Sequence, residues 1–226
     1  MTCVRTEMDN TKDPQARFWV EAQVSITKSA VLLATAEKEL ESGDLIPASV
    51  SAYYSLFHLS LALMWLLPES MPPSLHAALI ATRDAGMELP NKLTSHKKAE
   101  DFLCAGQVNL PVSNLGLLYQ RALKLREFAS YGPRITYDGE QPQVDLCSFL
   151  KRDVREVVLE VPKVFINALQ AALPRTAYEG YLGPIVLDGA IDLLRRVDLP
   201  FKNWYSASVI ERAEMLISNL RASASA

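Results

Sequence analysis

The segment from Tyr53 to Leu67, YYSLFHLSLALMWLL, is apolar almost all the way round a helix. A surface helix hides one stripe, whereas a helix of this kind needs other elements on most of its sides. Ser55, His58 and Ser60 interrupt the run, and at roughly 16 residues it falls short of the ~20 that cross a bilayer. It is therefore expected to be the central helix of a bundle, running from about Pro47 to Leu67 and stopped at Pro68.

The rest of the chain supplies partners for such a helix. Between Asp13 and Ser42, Trp19, Ile26, Leu33 and Leu40 recur at heptad spacing with Ala22, Ala30 and Ala36 among them, Pro14 opens the run and Gly43 closes it. Further helices are expected over Ser74 to Ala85, Thr94 to Ala105 and Leu110 to Tyr131, the last ended by Gly132-Pro133. A long one is expected over Val144 to Leu173, kinked or split at Pro162. Beyond Pro174 the connections YEGYLGP and DLPFKNWYS are aromatic and Pro/Gly-punctuated, around short helices over Ile185 to Val197 and Ala207 to Ala222. No segment alternates with the period of a strand for long enough to argue a sheet. The fold expected is all-α: an up-and-down bundle of four to five helices over 13–173, with a small helical C-terminal extension over 174–226.

Composition narrows the function classes. With 226 residues, 49% of them hydrophobic, the chain can bury a core, and its net charge of −3 supplies no bulk field for a polyanion. Nucleic acid would have to be met by a local patch. The acidic excess lies in the first half: thirteen acidic against nine basic residues through residue 113, thirteen against fourteen after it. Cys3, Cys104 and Cys147 are too scattered for a disulfide framework or a metal knuckle, and His58, His76 and His96 form no HExxH pair. No phosphate-cradling glycine loop is present, so neither a metal nor a cofactor is expected. The N-terminal MTCVRTEMDNTKDPQ lacks the apolar run of a signal peptide, and a cytoplasmic protein without a membrane span is expected.

Four short motifs occur in a suggestive order: Ala52-Tyr53-Tyr54-Ser55-Leu56-Phe57-His58 on the second helix, Ser95-His96-Lys97, Leu125-Arg126-Glu127-Phe128-Ala129-Ser130-Tyr131-Gly132 at a helix end, and then the long helix. Together they resemble the HEPN superfamily, the "higher eukaryotes and prokaryotes nucleotide-binding" helical bundles, over residues 13 to 173. The resemblance implies a homodimer joined through the Leu110 to Tyr131 helix. It also implies an R-x4-6-H ribonuclease site, in which an arginine neutralises the scissile phosphate and a histidine moves the 2′-hydroxyl proton without a metal.

Arg126 falls on the arginine of that motif, but Tyr131 stands at the histidine position. A phenol with a pKa of ~10 is a poor general base at neutral pH. The ending is similar to an R-x-x-x-D/S-Y subset whose activities are less certain, which implies phosphate binding by Arg126 and Tyr131 with a degenerate nuclease site. Ser130, His96, Lys97, Lys98, Lys124 and Arg134 flank these two and form a candidate RNA- or phosphate-binding set. Structural roles compete with each assignment: Arg126 suits a helix C-terminus, Tyr131 can fill the corner at Gly132-Pro133, and His96 follows a capping serine. Three functions are expected to compete. One is an RNA- or nucleotide-binding protein of a prokaryotic toxin–antitoxin or defence system, with a cognate antitoxin or nucleotidyltransferase as partner. The second is an active metal-independent endoribonuclease toxin using Arg126 with Tyr131, Ser130 or His96. The third is a protein-interaction subunit that docks a partner through Phe201, Trp204 and Tyr205 and binds no nucleic acid.

Overall fold

A computed structural model describes residues 14–67, 76–77, 95–104, 114–131, 146–175, 182–196 and 203–223, and these residues form helices without a strand. The helices are α1 (Pro14–Ser42), α2 (Leu45–Leu66), α3 (His96–Cys104), α4 (Leu115–Tyr131), α5 (Leu146–Ala172), α6 (Leu182–Arg195) and α7 (Ala207–Ser223). The fold class is thus all-α, as its sequence periodicities require. Of the helix expected over Ser74 to Ala85, only His76 and Ala77 are described, and both are helical.

Helix α2 is the axis of the structure. It packs against α1, α3, α4 and α5, and its side chains from Ala52 to Leu67 are buried except Tyr54 and His58. At 22 residues, Leu45–Leu66, it matches the expected Pro47 to Leu67 closely, and it has the length and apolarity to cross a bilayer. Within the protein, however, 83% of its most apolar window is buried, as in a core helix. Apolarity on every side is satisfied by neighbours on every side.

The α1·α2 pair is held closely by small residues and a reciprocal clasp. Ser29 Oγ donates to the Ser55 carbonyl at 2.8 Å, and Ser55 Oγ donates back to the Ser29 carbonyl at 2.9 Å. Both serines are fully buried, and Ala22, Ala30 and Ala52 beside them let the backbones approach. Satisfying both hydroxyls matters because an unpaired buried hydroxyl would cost about 1–3 kcal/mol. The turn between the two helices is equally specific. Gly43 adopts φ +83°, its N–H donates to the Leu40 carbonyl at 3.1 Å, and the Asp44 N–H donates to the Glu39 carbonyl at 2.8 Å. This is the Schellman pairing, which closes a helix with a left-handed residue.

Boundaries shift by a few residues: α2 begins at Leu45, not Pro47, and α6 runs Leu182–Arg195, not Ile185 to Val197. Helix α4 starts at Leu115, not Leu110, because Asn114 is the cap: its carbonyl accepts the first helical bond from the Leu118 N–H at 2.9 Å. Helix α5 runs through Pro162 as one helix, so of the kink or split expected there the split does not occur. Val157, Val158 and Val161 before the proline and Val164, Phe165 and Leu169 after it are all buried, so one apolar stripe against the bundle spans the missing N–H. A 3₁₀ turn, Leu173–Arg175, follows α5.

Helices α6 and α7 lie on α1 and on each other. Val186, Leu187, Ala190 and Leu194 of α6 and Val209, Ala213, Ile217 and Leu220 of α7 join the same core cluster as α1 and α2. Gly189 sits where an added methyl would overlap the Gln23 side chain, and Thr27 Oγ1 donates to the Ala190 carbonyl at 3.2 Å, so α6 crosses α1 at short range.

The left-handed turn gives a direct test. Gly43→Ala is expected to lower stability by about 1–2 kcal/mol, the cost of a β-carbon in that backbone region. A urea midpoint unchanged by the substitution would show that the α1–α2 turn tolerates another conformation.

Candidate functional site

Helical spacing divides α2 into two stripes. Tyr53 and Phe57, one turn apart, face α3 and α4, whereas Tyr54 and His58 lie on the adjacent stripe. The consequences begin with Tyr53, whose side chain is almost completely buried and whose hydroxyl must therefore find partners. It finds two: the hydroxyl is 2.9 Å from His96 Nδ1 and 3.2 Å from the Tyr119 hydroxyl. The hydroxyl of Tyr119, fully buried on α4, lies in turn 3.3 Å from the His96 backbone carbonyl. One polar chain thus ties α2, α3 and α4 together.

Two proton orders satisfy that chain. In one, Tyr119 donates to the carbonyl, Tyr53 to Tyr119 and His96 Nδ1–H to Tyr53; in the other, Tyr119 donates to Tyr53 and Tyr53 to His96 Nδ1. Burial, and then the charge of Arg126, hold the imidazole below its ordinary pKa, so it is neutral at pH 7. A neutral, exposed imidazole tied at Nδ1 to a buried phenol can make a further hydrogen bond through Nε2.

Arg126 completes the group. Tyr119 and Arg126 are seven residues apart on α4, two turns along one face, which brings the guanidinium over the α2 rings. Its carbon lies 5.7 Å from the centre of the Tyr53 ring and 6.0 Å from that of Tyr54, within cation–π range. Phe57 and Tyr54 pack on the His96 ring at 4.3 Å and 5.7 Å between centres. A planar cation and a neutral imidazole therefore stand over one aromatic floor, a pairing suited to a phosphate oxygen and an adjacent hydroxyl.

The remaining sequence-expected residues divide. Ser95 caps α3, its Oγ accepting from the Lys98 N–H at 3.3 Å. Lys97 is exposed, but its ammonium lies 3.1 Å from Asp101 and 3.4 Å from Glu100, so its charge is largely offset locally. Lys98 is half-buried and Lys124 exposed. Being two residues from Arg126, Lys124 lies about 200° round the helix from it. Ser130 is exposed one turn beyond Arg126. The Tyr131 side chain and Arg134 lie outside the described residues. Tyr119 was missed by sequence reasoning; the available signal was a tyrosine within the apolar stripe Leu115, Leu118, Ala122 and Leu125, whose hydroxyl had to be met. Among the described residues, no three His, Cys, Asp or Glu side chains gather as metal ligands.

On the neighbouring stripe, burial, the Lys28 ammonium and His96 push the His58 pKa down to about 4. Unfolded, this histidine would titrate near ~6.5, so above that pH it contributes no pH dependence. As pH falls from ~6.5 toward 4, the unfolded chain takes up a proton that the folded chain refuses, and stability drops by up to about 1.4 kcal/mol per pH unit. An NMR titration should find His58 neutral down to about pH 4. It should find the His96 pKa below its ordinary value, with Arg126→Gln moving it upward. A His96 pKa unmoved by Arg126→Gln would contradict the placement of that charge beside the imidazole.

Compared with protein-family models, curated proteins and solved structures, the chain finds no match in any of the three.

Proposed function

We propose that the chain is a HEPN-like RNA- or nucleotide-binding protein of a prokaryotic toxin–antitoxin or defence system, in which Arg126 receives a phosphate beside His96. The observation that carries this reading is the convergence of Arg126, His96 and Tyr54, drawn from three helices, on one partly exposed surface above the buried Tyr53. Arginine offers a bidentate fork to phosphate oxygens, and the rings beneath hold that fork in place. The protein's overall charge of −3 makes this a local recognition rather than bulk attraction.

A second reading, metal-independent cleavage, is favoured by the exposed, neutral His96 beside Arg126. In this reaction the 2′-oxygen attacks phosphorus, the P–O5′ bond breaks, and a 2′,3′-cyclic phosphate and a 5′-hydroxyl end result. His96 Nε2 would take the 2′-hydroxyl proton, water would protonate the leaving O5′, and Arg126 would stabilise charge on the non-bridging oxygens. The histidine absent from position 131 would thus be replaced from α3.

Incubation of the purified protein with single-stranded RNA in EDTA separates the readings. Binding without cleavage, weakened in Arg126→Ala with a log–log salt slope shallower by about 0.7 for the lost phosphate contact, supports the first. Cleavage that falls by about 100-fold or more in His96→Ala and is lost in Arg126→Ala supports the second. RNA binding and cleavage both absent, or indifferent to Arg126, would contradict both readings.

A further inference from the structure

Beside the Arg126–His96 group lies a cavity of about 280 Å³ that neither side chain lines. This is at the small end of ligand sites, which run from ~300 to 1,000 Å³, and suits one ring system rather than a large molecule. Val31 and Leu32 of α1 give it an apolar wall, and Tyr54, Tyr205 and Trp204 give it aromatic ones. Trp204, one of three tryptophans, is 79% exposed, an unusual setting for so large an apolar side chain. The rim that carries it is fixed to α1: Lys38 Nζ donates to Ser206 Oγ at 2.9 Å and to Ser208 Oγ at 3.3 Å.

Two polar groups specify what could fit. His58 remains neutral at pH 7 and offers one donor and one acceptor, as ring nitrogens and exocyclic groups of a base require. Lys28 is exposed and places a cation at the same cavity. Tyr54 joins this cavity to the phosphate site, because the same side chain lines the cavity and lies 6.0 Å from the Arg126 guanidinium.

We infer that this cavity is a seat for an unstacked nucleobase, held against Trp204 and Tyr205 with its edge at His58, while the adjoining phosphate reaches Arg126 across Tyr54. The inference rests on the phosphate-binding reading of Arg126 and adds the part of the ligand that reading leaves unassigned. A base from an RNA strand and a base from a free nucleotide share this chemistry.

Fluorescence and equilibrium binding with three probes test it: a short single-stranded RNA, an abasic ribose-phosphate strand of the same length, and a nucleoside monophosphate. The wild-type protein should bind the RNA about tenfold more tightly than the abasic strand, with tryptophan quenching. Trp204→Ala should remove that difference and leave abasic binding unchanged, since base–aromatic stacking is worth ~1–3 kcal/mol and 1.4 kcal/mol is tenfold. Trp204 is exposed, so its replacement leaves the core intact. Saturable, Trp204-dependent quenching by the monophosphate at the RNA's own affinity supports the seat with a free nucleotide as its source, whereas tighter RNA binding supports a strand. Equal, Arg126-dependent binding of RNA and abasic strand would overturn the base seat and leave the phosphate reading standing. Absence of Arg126-dependent binding to any probe would overturn both.

Discussion

The site depends on one buried hydroxyl. Tyr53 sits at 1% exposure in the most apolar helix of the chain, where an unpaired phenol would be costly. Its two partners come from different helices, His96 of α3 and Tyr119 of α4. Meeting the hydroxyl fixes where α3 lies, which face α4 turns inward and which His96 nitrogen meets the core. The location of Arg126 follows, because it shares the inward face of α4 with Tyr119. Chemistry at the surface is thus positioned by a polar requirement in the core.

The same helix divides labour by its period. Tyr53 and Phe57 serve the histidine side, and Tyr54 and His58 serve the cavity shared with α1 and the segment before α7. Adjacent residues on a helix are separated by about 100°, so two stripes one residue apart reach two neighbouring places without a break in the backbone. Tyr54 belongs to both, touching Arg126 and His96 on one side and lining the cavity on the other. Packing on α1 matters here too: the Ser29–Ser55 clasp joins α1 to α2, and the Lys38–Ser206 contact joins α1 to the segment that carries Trp204.

Much of the fold was legible because it rests on strong local patterns. The all-round apolarity of α2, the heptad stripe of α1 and the glycine after Ser42 each have a single physical meaning. At Pro162 local chemistry argues for a kink or a split, and the split is averted where the α5 stripe is buried on both sides of the proline. The site was legible only in pieces. Arg126 and His96 could be singled out by residue type, but thirty residues separate them and their proximity arises through Tyr53, whose hydroxyl partners no spacing rule specifies. Lys97 was grouped with the basic residues although Glu100 and Asp101, three and four positions on, were already placed to pair with it. Trp204 could be recognised as an aromatic in a turn-rich segment, yet its cavity needs walls from α1 and α2.

The central claim is that Arg126 and His96 act on one ligand as a unit. A double-mutant cycle of RNA affinity over wild type, Arg126→Ala, His96→Ala and the double variant measures this directly. Residues that share a phosphate and its neighbouring hydroxyl should show a coupling energy of about 1 kcal/mol or more. Losses that add to within ~0.5 kcal/mol would mean that the two side chains stand close together without sharing a ligand, and would contradict the account.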